Sequence, residues 1–191
     1  MYKVAILSSH NGSGFETLLK AQTMGKLDIN IILVISNNTD AKVLQKAKLN
    51  NIDTYIVNSS KYTDPDDRIY TLLKKYDIDY VFLSGYMKKL SQTIVKNFKI
   101  LNSHPSLLPK YGGKGMYGRF VHEAVVANRE KESGVTIHIV NEEFDKGKIV
   151  LQKKLALSED ETAQTLETKI KQLEKTAIVD GFKQFLELYR Y

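Results

Sequence analysis

Short unbroken runs of Val, Ile and Leu alternate with stretches of helical spacing, and this alternation restricts the chain to few folds. Strands are predicted at Lys3–Ser8, Ile29–Ile35, Asp53–Val57, Tyr80–Leu83 and Lys99–Asn102. Helices are predicted from Phe15 onward and over Ala41–Asn50, Pro65–Tyr76 and Ser91–Phe98. A strand apolar at consecutive positions has no solvent face, so both of its faces are covered, as in a parallel sheet joined by helical crossovers. Further on, the pattern predicts a helix at Arg119–Asn128, strands at Val135–Val140 and Ile149–Leu157, and a long helix at Ala163–Leu188. The expected fold class is α/β: three layers, with a mostly parallel twisted sheet between helices on both faces. At 191 residues the chain suits a single domain, 1–191, with room for a full core.

After the fifth predicted strand the chain reads Asn102-Ser103-His104-Pro105-Ser106-Leu107-Leu108-Pro109-Lys110-Tyr111. Residues i and i+2 of an extended segment share a face. Asn102 and His104 are therefore expected to project together at a strand's carboxyl end, where open α/β sheets bind ligands. An Asn amide donates to a developing oxyanion, and a neighbouring His moves a proton near neutral pH. Asn-x-His alone fits a polar surface loop better than a catalytic pair; the whole string is far more specific.

Two glycines follow the first strand in Asn11-Gly12-Ser13-Gly14. Between a strand and a helix start, such a pair lets backbone N–H groups converge on an anion. No Gly-Lys-Ser/Thr follows, so this is not a Walker loop, and Thr17 stands where a dinucleotide fingerprint needs its third glycine. A single phosphate suits the loop better than a pyrophosphate, and a plain turn is the competing reading.

After the sixth strand comes Asn141-Glu142-Glu143-Phe144-Asp145. An aspartate here that reaches His104 is expected to raise its pKa and favour the protonated form; a turn residue is the plainer reading of Asp145. His138 reads as a hydrogen-bonded strand residue and His122 as a helix residue. No residues have metal-ligand spacing, and no metal is expected.

Composition narrows the chemistry. There are no cysteines, which excludes thiolate metal sites and a Cys nucleophile. No apolar run reaches transmembrane length, and the apolar start is too short for an export signal, so a cytoplasmic location is expected. The net charge is +6, and Tyr80–His122 contains no Asp or Glu but seven Lys or Arg. That zone suits anionic ligands, or a solvated basic face with weak nucleic-acid affinity.

Taken together, these motifs resemble the formyltetrahydrofolate-dependent formyltransferase family over nearly the whole chain, with its Rossmann-like N-terminal half. Within it, the similarity is to enzymes that formylate 5-phosphoribosylglycinamide in purine synthesis. The resemblance implies a catalytic trio at Asn102, His104 and Asp145 and a substrate-phosphate loop at Asn11, Gly12, Ser13 and Gly14. It implies a folate site of Met87, Lys88, Lys89, Leu90, Asn102, Asn141, Glu142, Glu143, Phe144 and Asp145. It also implies a glycinamide site at Lys171, Gln172, Leu173 and Glu174. The phosphate half would then span about 1–100 and the folate-binding, catalytic half about 100–191. The co-substrate would be 10-formyltetrahydrofolate, the partners small molecules rather than nucleic acid or membrane, and the state monomer or homodimer. Gly14 replaces the usual Asn of the phosphate loop, Lys89 a common apolar residue, and Lys175 with Ile178-Val179 the family's residues after Glu174. Arg68 does not align securely with the family's loop arginine, and the insertion Gly112–Gly118 is a candidate lid. Relatives acting on an amino sugar or methionyl-tRNA, and a non-catalytic phosphate- or nucleotide-binding module, are the alternatives.

Overall fold

A computed structural model describes residues 1–189. One seven-stranded sheet has the order β3-β2-β1-β4-β5-β6-β7. Its strands are β1 (Tyr2–Leu7), β2 (Ile29–Ser36), β3 (Asp53–Ile56), β4 (Tyr80–Leu83), β5 (Lys99–His104), β6 (Glu132–Ile139) and β7 (Ile149–Ala156). The helices are α1 (Ser13–Thr23), α2 (Lys42–Leu49), α3 (Pro65–Lys75), α4 (Gln92–Asn97), α5 (Arg119–Ala127) and α6 (Ala163–Leu188). Strand β1 pairs in parallel with β2 and β4, β2 in parallel with β3, and β6 antiparallel with β7. The chain forms two compact units, Met1–Leu101 and Asn102–Tyr191.

In the first unit the predicted crossovers are present. Val4–Leu7 of β1 and all of β4 are buried without alternation, because helices cover both faces. Helix α3 shows how local sequence sets an element's start. The Asp64 side chain accepts from Asp67 N–H, Pro65 takes the first turn, and Asp66 and Asp67 face the positive helix end. Lys74 and Lys75 occupy its last turn, where the dipole favours cations.

In the second unit, α6 begins with a reciprocal cap between Thr162 and Thr165 and buries Leu166, Ile170, Ala177, Ile178, Phe182 and Phe185. Gly181 allows it to lie close on β6: a Cβ there would stand 2.8 Å from Ile137 Cγ1. Phe182 is fully buried, so Phe182→Ala is expected to cost about 3–5 kcal/mol.

Three boundaries differ from the sequence expectation by two residues or more. Helix α1 starts at Ser13, not Phe15, so the glycine loop itself enters the helix. Strand β5 runs on to His104, and β6 begins at Glu132 instead of Val135. No described helix is long and apolar enough to cross a membrane.

Candidate active site

The glycine loop is a helix start made of backbone. Gly12 is the N-cap of α1 at φ 67, and no side chain caps the helix. A helix's first four N–H groups lack intrahelical partners. Phe15 N–H goes to Ser84 Oγ at 3.2 Å, and the N–H groups of Ser13 and Gly14 open the first turn. Ser13 and Asn11 are exposed; Gly12 and Gly14 are buried. A Cβ at Gly12 would overlap the Val43 side chain. A side chain at Gly12 therefore acts first on packing against α2. Lys46 donates to the Asn11 carbonyl at 3.0 Å and pairs with Glu16 at 2.8 Å, which adds a cation beside the loop. Sequence reading missed Lys46, since nothing local ties it to the loop.

Met87–Leu90 follow β4. Leu90 is buried, Met87, Lys88 and Lys89 are exposed, and Met87 N–H donates to Ser9 Oγ at 2.8 Å. A cavity of about 720 Å³ opens beside this segment, lined by Asn58, Asp66, Tyr70, Tyr86, Lys88 and Lys89 among others. None of Asn102, His104 and Asp145 lines it.

In the second unit, the three expected catalytic residues meet through a fourth. The Asn102 amide lies 3.0 Å from His138 Nε2. The carboxylate of Asp145 sits between two rings, with Oδ2 3.5 Å from His104 Nδ1 and Oδ1 3.5 Å from His138 Nε2. His138 Nδ1 faces the Ile139 carbonyl at 3.1 Å, and a carbonyl only accepts, so Nδ1 carries the proton. Its Nε2 lone pair then accepts from Asn102. His104 Nε2 faces the Tyr111 carbonyl at 2.7 Å, which by the same argument places a proton on Nε2. His138 was read as a plain strand residue; it is also part of this cluster. Its place on β6 with Ile137 and Ile139 gave no local signal.

Turn geometry puts Asp145 there. Asp145 has φ 57, Gly113 N–H donates to its Oδ2 at 2.9 Å, and Asn141 Oδ1 accepts from Glu143 N–H at 3.0 Å. Glu142 and Phe144 are exposed in this turn. Gly147 is required because a Cβ there would strike the Ile139 carbonyl. Gly112 lies against Leu108 and Asp145, so the glycine-rich insertion is tied to the site at its start.

The electrostatics reverse one expectation. Burial pushes the His104 pKa below its ordinary 6.5, and the nearby His138 adds to this. Asp145 and the Tyr111 carbonyl pull it upward without compensating. His104 is only 4% exposed, so desolvation of the imidazolium outweighs an ion pair at 3.5 Å. The predicted rise is therefore a fall. For Asp145, burial alone would raise the pKa. The contact with His138, the nearby His104 and the Gly113 N–H outweigh it and hold the carboxyl below its usual range.

On α6, Lys171 and Gln172 are exposed, Leu173 and Glu174 half-buried. Lys171 pairs with Glu167, and Glu174 Oε1 accepts from Ser103 Oγ at 2.6 Å. Burial pushes the Glu174 pKa up; the Ser103 hydroxyl and Lys171 oppose it incompletely. Among the described residues no histidine–carboxylate group could hold a metal ion.

A family model described as Formyl transferase matches residues 2–181. The chain belongs to the formyl transferase family. The phosphoribosylglycinamide formyltransferase of Haemophilus influenzae is 37% identical over 179 residues, covering 91% of this chain and 82% of that protein. A chloroplastic phosphoribosylglycinamide formyltransferase of Arabidopsis thaliana is 34% identical, covering 88% of this chain; the chain spans 60% of the plant protein's length. Among solved structures, the phosphoribosylglycinamide formyltransferase from Bacillus halodurans matches with a TM-score of 0.87 at 30% identity. That match covers 97% of this formyl transferase and 95% of the other chain.

Proposed function

We propose that this formyl transferase moves the formyl group of 10-formyltetrahydrofolate to the amine of 5-phosphoribosylglycinamide, a step of purine synthesis. The observation that carries the reading is the four-residue cluster of Asn102, His138, Asp145 and His104. A module that only binds phosphate has no use for it. The uncapped start of α1, with Asn11, Gly12, Ser13 and Gly14, takes the substrate phosphate. Met87–Leu90 and Asn141–Asp145 take the folate, and Lys88 and Lys89 suit its anionic tail. Lys171, Gln172, Leu173 and Glu174 take the glycinamide end.

The reaction forms a bond from the amine nitrogen to the formyl carbon and breaks the bond from that carbon to folate N10. Asn102 donates to the oxyanion that develops on the formyl oxygen. Neutral His104 accepts a proton from the attacking amine at Nδ1, the nitrogen that faces Asp145. The resulting imidazolium is stabilised by the Asp145 charge and returns the proton to N10. A resting base is what a lowered His104 pKa supports. His138 holds the Asn102 amide in place.

The enzyme would work in the cytoplasm, as a monomer or homodimer, on small molecules. The experiment is a turnover assay with 10-formyltetrahydrofolate and one of three acceptors: phosphoribosylglycinamide, an amino sugar nucleotide, or methionyl-tRNA. Turnover with the first alone is expected. Preference for either of the others overturns the acceptor assignment.

A further inference from the structure

Helix α2 grips the glycine loop at two successive carbonyls. Val43 N–H donates to the His10 carbonyl at 3.1 Å, and Lys46 Nζ donates to the Asn11 carbonyl at 3.0 Å. In a planar trans peptide the C=O and the next residue's N–H point in opposite directions. Carbonyls drawn towards α2 therefore turn the N–H groups of Asn11 and Gly12 away from it. Among the described residues, none accepts from the N–H groups of Asn11, Gly12, Ser13 or Gly14. Gly12 stands at φ 67 and ψ 46, directly before the right-handed residues of α1. Successive N–H groups in such an arrangement form an anion-binding concavity. The His10 carbonyl is held by backbone, but the Asn11 carbonyl is held by one side chain. Nothing in the reaction described above uses that side chain.

We propose that Lys46 is a positioning residue for the substrate phosphate: by holding the Asn11 carbonyl it aims the Gly12 N–H at the anion. Its second contact acts in the same direction. Glu16 puts a negative charge in the first turn of α1, at the helix end that an anion also uses, and Lys46 Nζ pairs with it at 2.8 Å. Without Lys46 the Asn11–Gly12 peptide is free to rotate, and the Glu16 charge stands unmatched beside the phosphate. The pair is on the surface, with side chains 31% and 55% exposed, so its loss leaves the fold intact. This inference rests on the reading of the loop as a phosphate site, yet it is measurable without turnover.

The test is a titration of the full chain with inorganic phosphate, followed through the ¹H–¹⁵N signals of Asn11, Gly12, Ser13 and Gly14, alongside steady-state kinetics. In the wild type all four signals are expected to respond. Lys46→Met keeps the apolar stem and removes the ammonium. The Gly12 response should shrink while those of Ser13 and Gly14 persist, and phosphate affinity should fall about tenfold. KM for phosphoribosylglycinamide should rise by a similar factor, with kcat and folate affinity unchanged. Lys46→Arg still reaches both acceptors and should restore the Gly12 response and the affinity. Adding Glu16→Gln to Lys46→Met removes the unmatched carboxylate and should recover only about threefold, with the Gly12 response still small. Full recovery in that double variant would reduce Lys46 to a counter-charge and overturn its aiming role. An unchanged Gly12 response and affinity in Lys46→Met overturn the proposal, as does an equal weakening of folate, which would assign Lys46 to the fold. A wild type whose four amides ignore phosphate defeats the phosphate reading and the proposal with it. Amides that respond as expected in a protein without formyl transfer uphold the role of Lys46 and defeat the functional reading instead.

Discussion

The glycine loop before α1 and the Asn102–His138–Asp145–His104 cluster are built on opposite principles. The loop offers main-chain N–H groups from an uncapped helix start, and its side chains are mostly small. The cluster offers four side chains drawn from β5, β6 and the turn before β7, held through one carboxylate. A backbone site tolerates changes of side-chain chemistry but not an added Cβ. A side-chain site tolerates reshaping nearby but not the loss of one functional group. Substitutions in the two regions should therefore fail in different ways.

The largest effect is expected at His104. His104→Ala should lower kcat about 10³-fold, roughly 4 kcal/mol of barrier, with both ligands still bound. Steady-state kinetics and calorimetry of each ligand check it. A folded variant with wild-type kcat would remove His104 from the chemistry. Asp145→Asn should cost about 10²-fold, since the imidazolium formed during transfer loses its counter-charge. The sign of its pH effect follows from the burial argument. Asp145 pulls the His104 pKa up, so its loss lets burial lower it further. The acid limb of kcat should then move to lower pH than in the wild type.

In the loop, the failure should be one of folding. Gly12→Ala forces a Cβ into positive φ and onto Val43, at a cost of about 2–4 kcal/mol, visible as a lower denaturation midpoint. If it lowers substrate affinity with no loss of stability, the packing argument is wrong. Ser13→Ala should be milder: about tenfold in KM for phosphoribosylglycinamide, about 1.4 kcal/mol, with kcat and folate affinity unchanged. Equal weakening of both ligands would show that the loop is not specific to the phosphate.

The comparison also explains what could be read in advance. Asn102 and His104 were legible because strand alternation is local, and β5 extends through both. The glycine loop was legible as a strand-to-helix turn. His138 was not, because its partners, Asn102 and Asp145, are brought to it only by tertiary folding. The direction of the His104 pKa was misread for a related reason. The carboxylate partner is visible in sequence, while the burial that outweighs it is a property of the folded unit. The overlap of Gly12 with Val43 is likewise set by packing.

The smallest expected effects are on stability against pH. His104 and His122 both have pKa values lowered by burial. Their contribution is fully present above their ordinary value of 6.5 and is lost as pH falls through the folded one. Glu174 is raised, so its contribution is present below 4.5 and lost as pH rises through the folded value. Glu174→Gln should thus raise the melting temperature at neutral pH by about 2–4 °C while weakening glycinamide binding. An unchanged melting temperature would mean that the Glu174 carboxyl is not penalised by burial.

The central claim is that a neutral His104 starts the reaction, and the pH dependence of kcat at saturating concentrations of both substrates tests it most directly. The account predicts a single acid limb with its midpoint below 6.5, where protonation of His104 stops transfer. A rate that is high below that midpoint and lost as pH rises through neutrality would show that the protonated ring is the working form, and would contradict it.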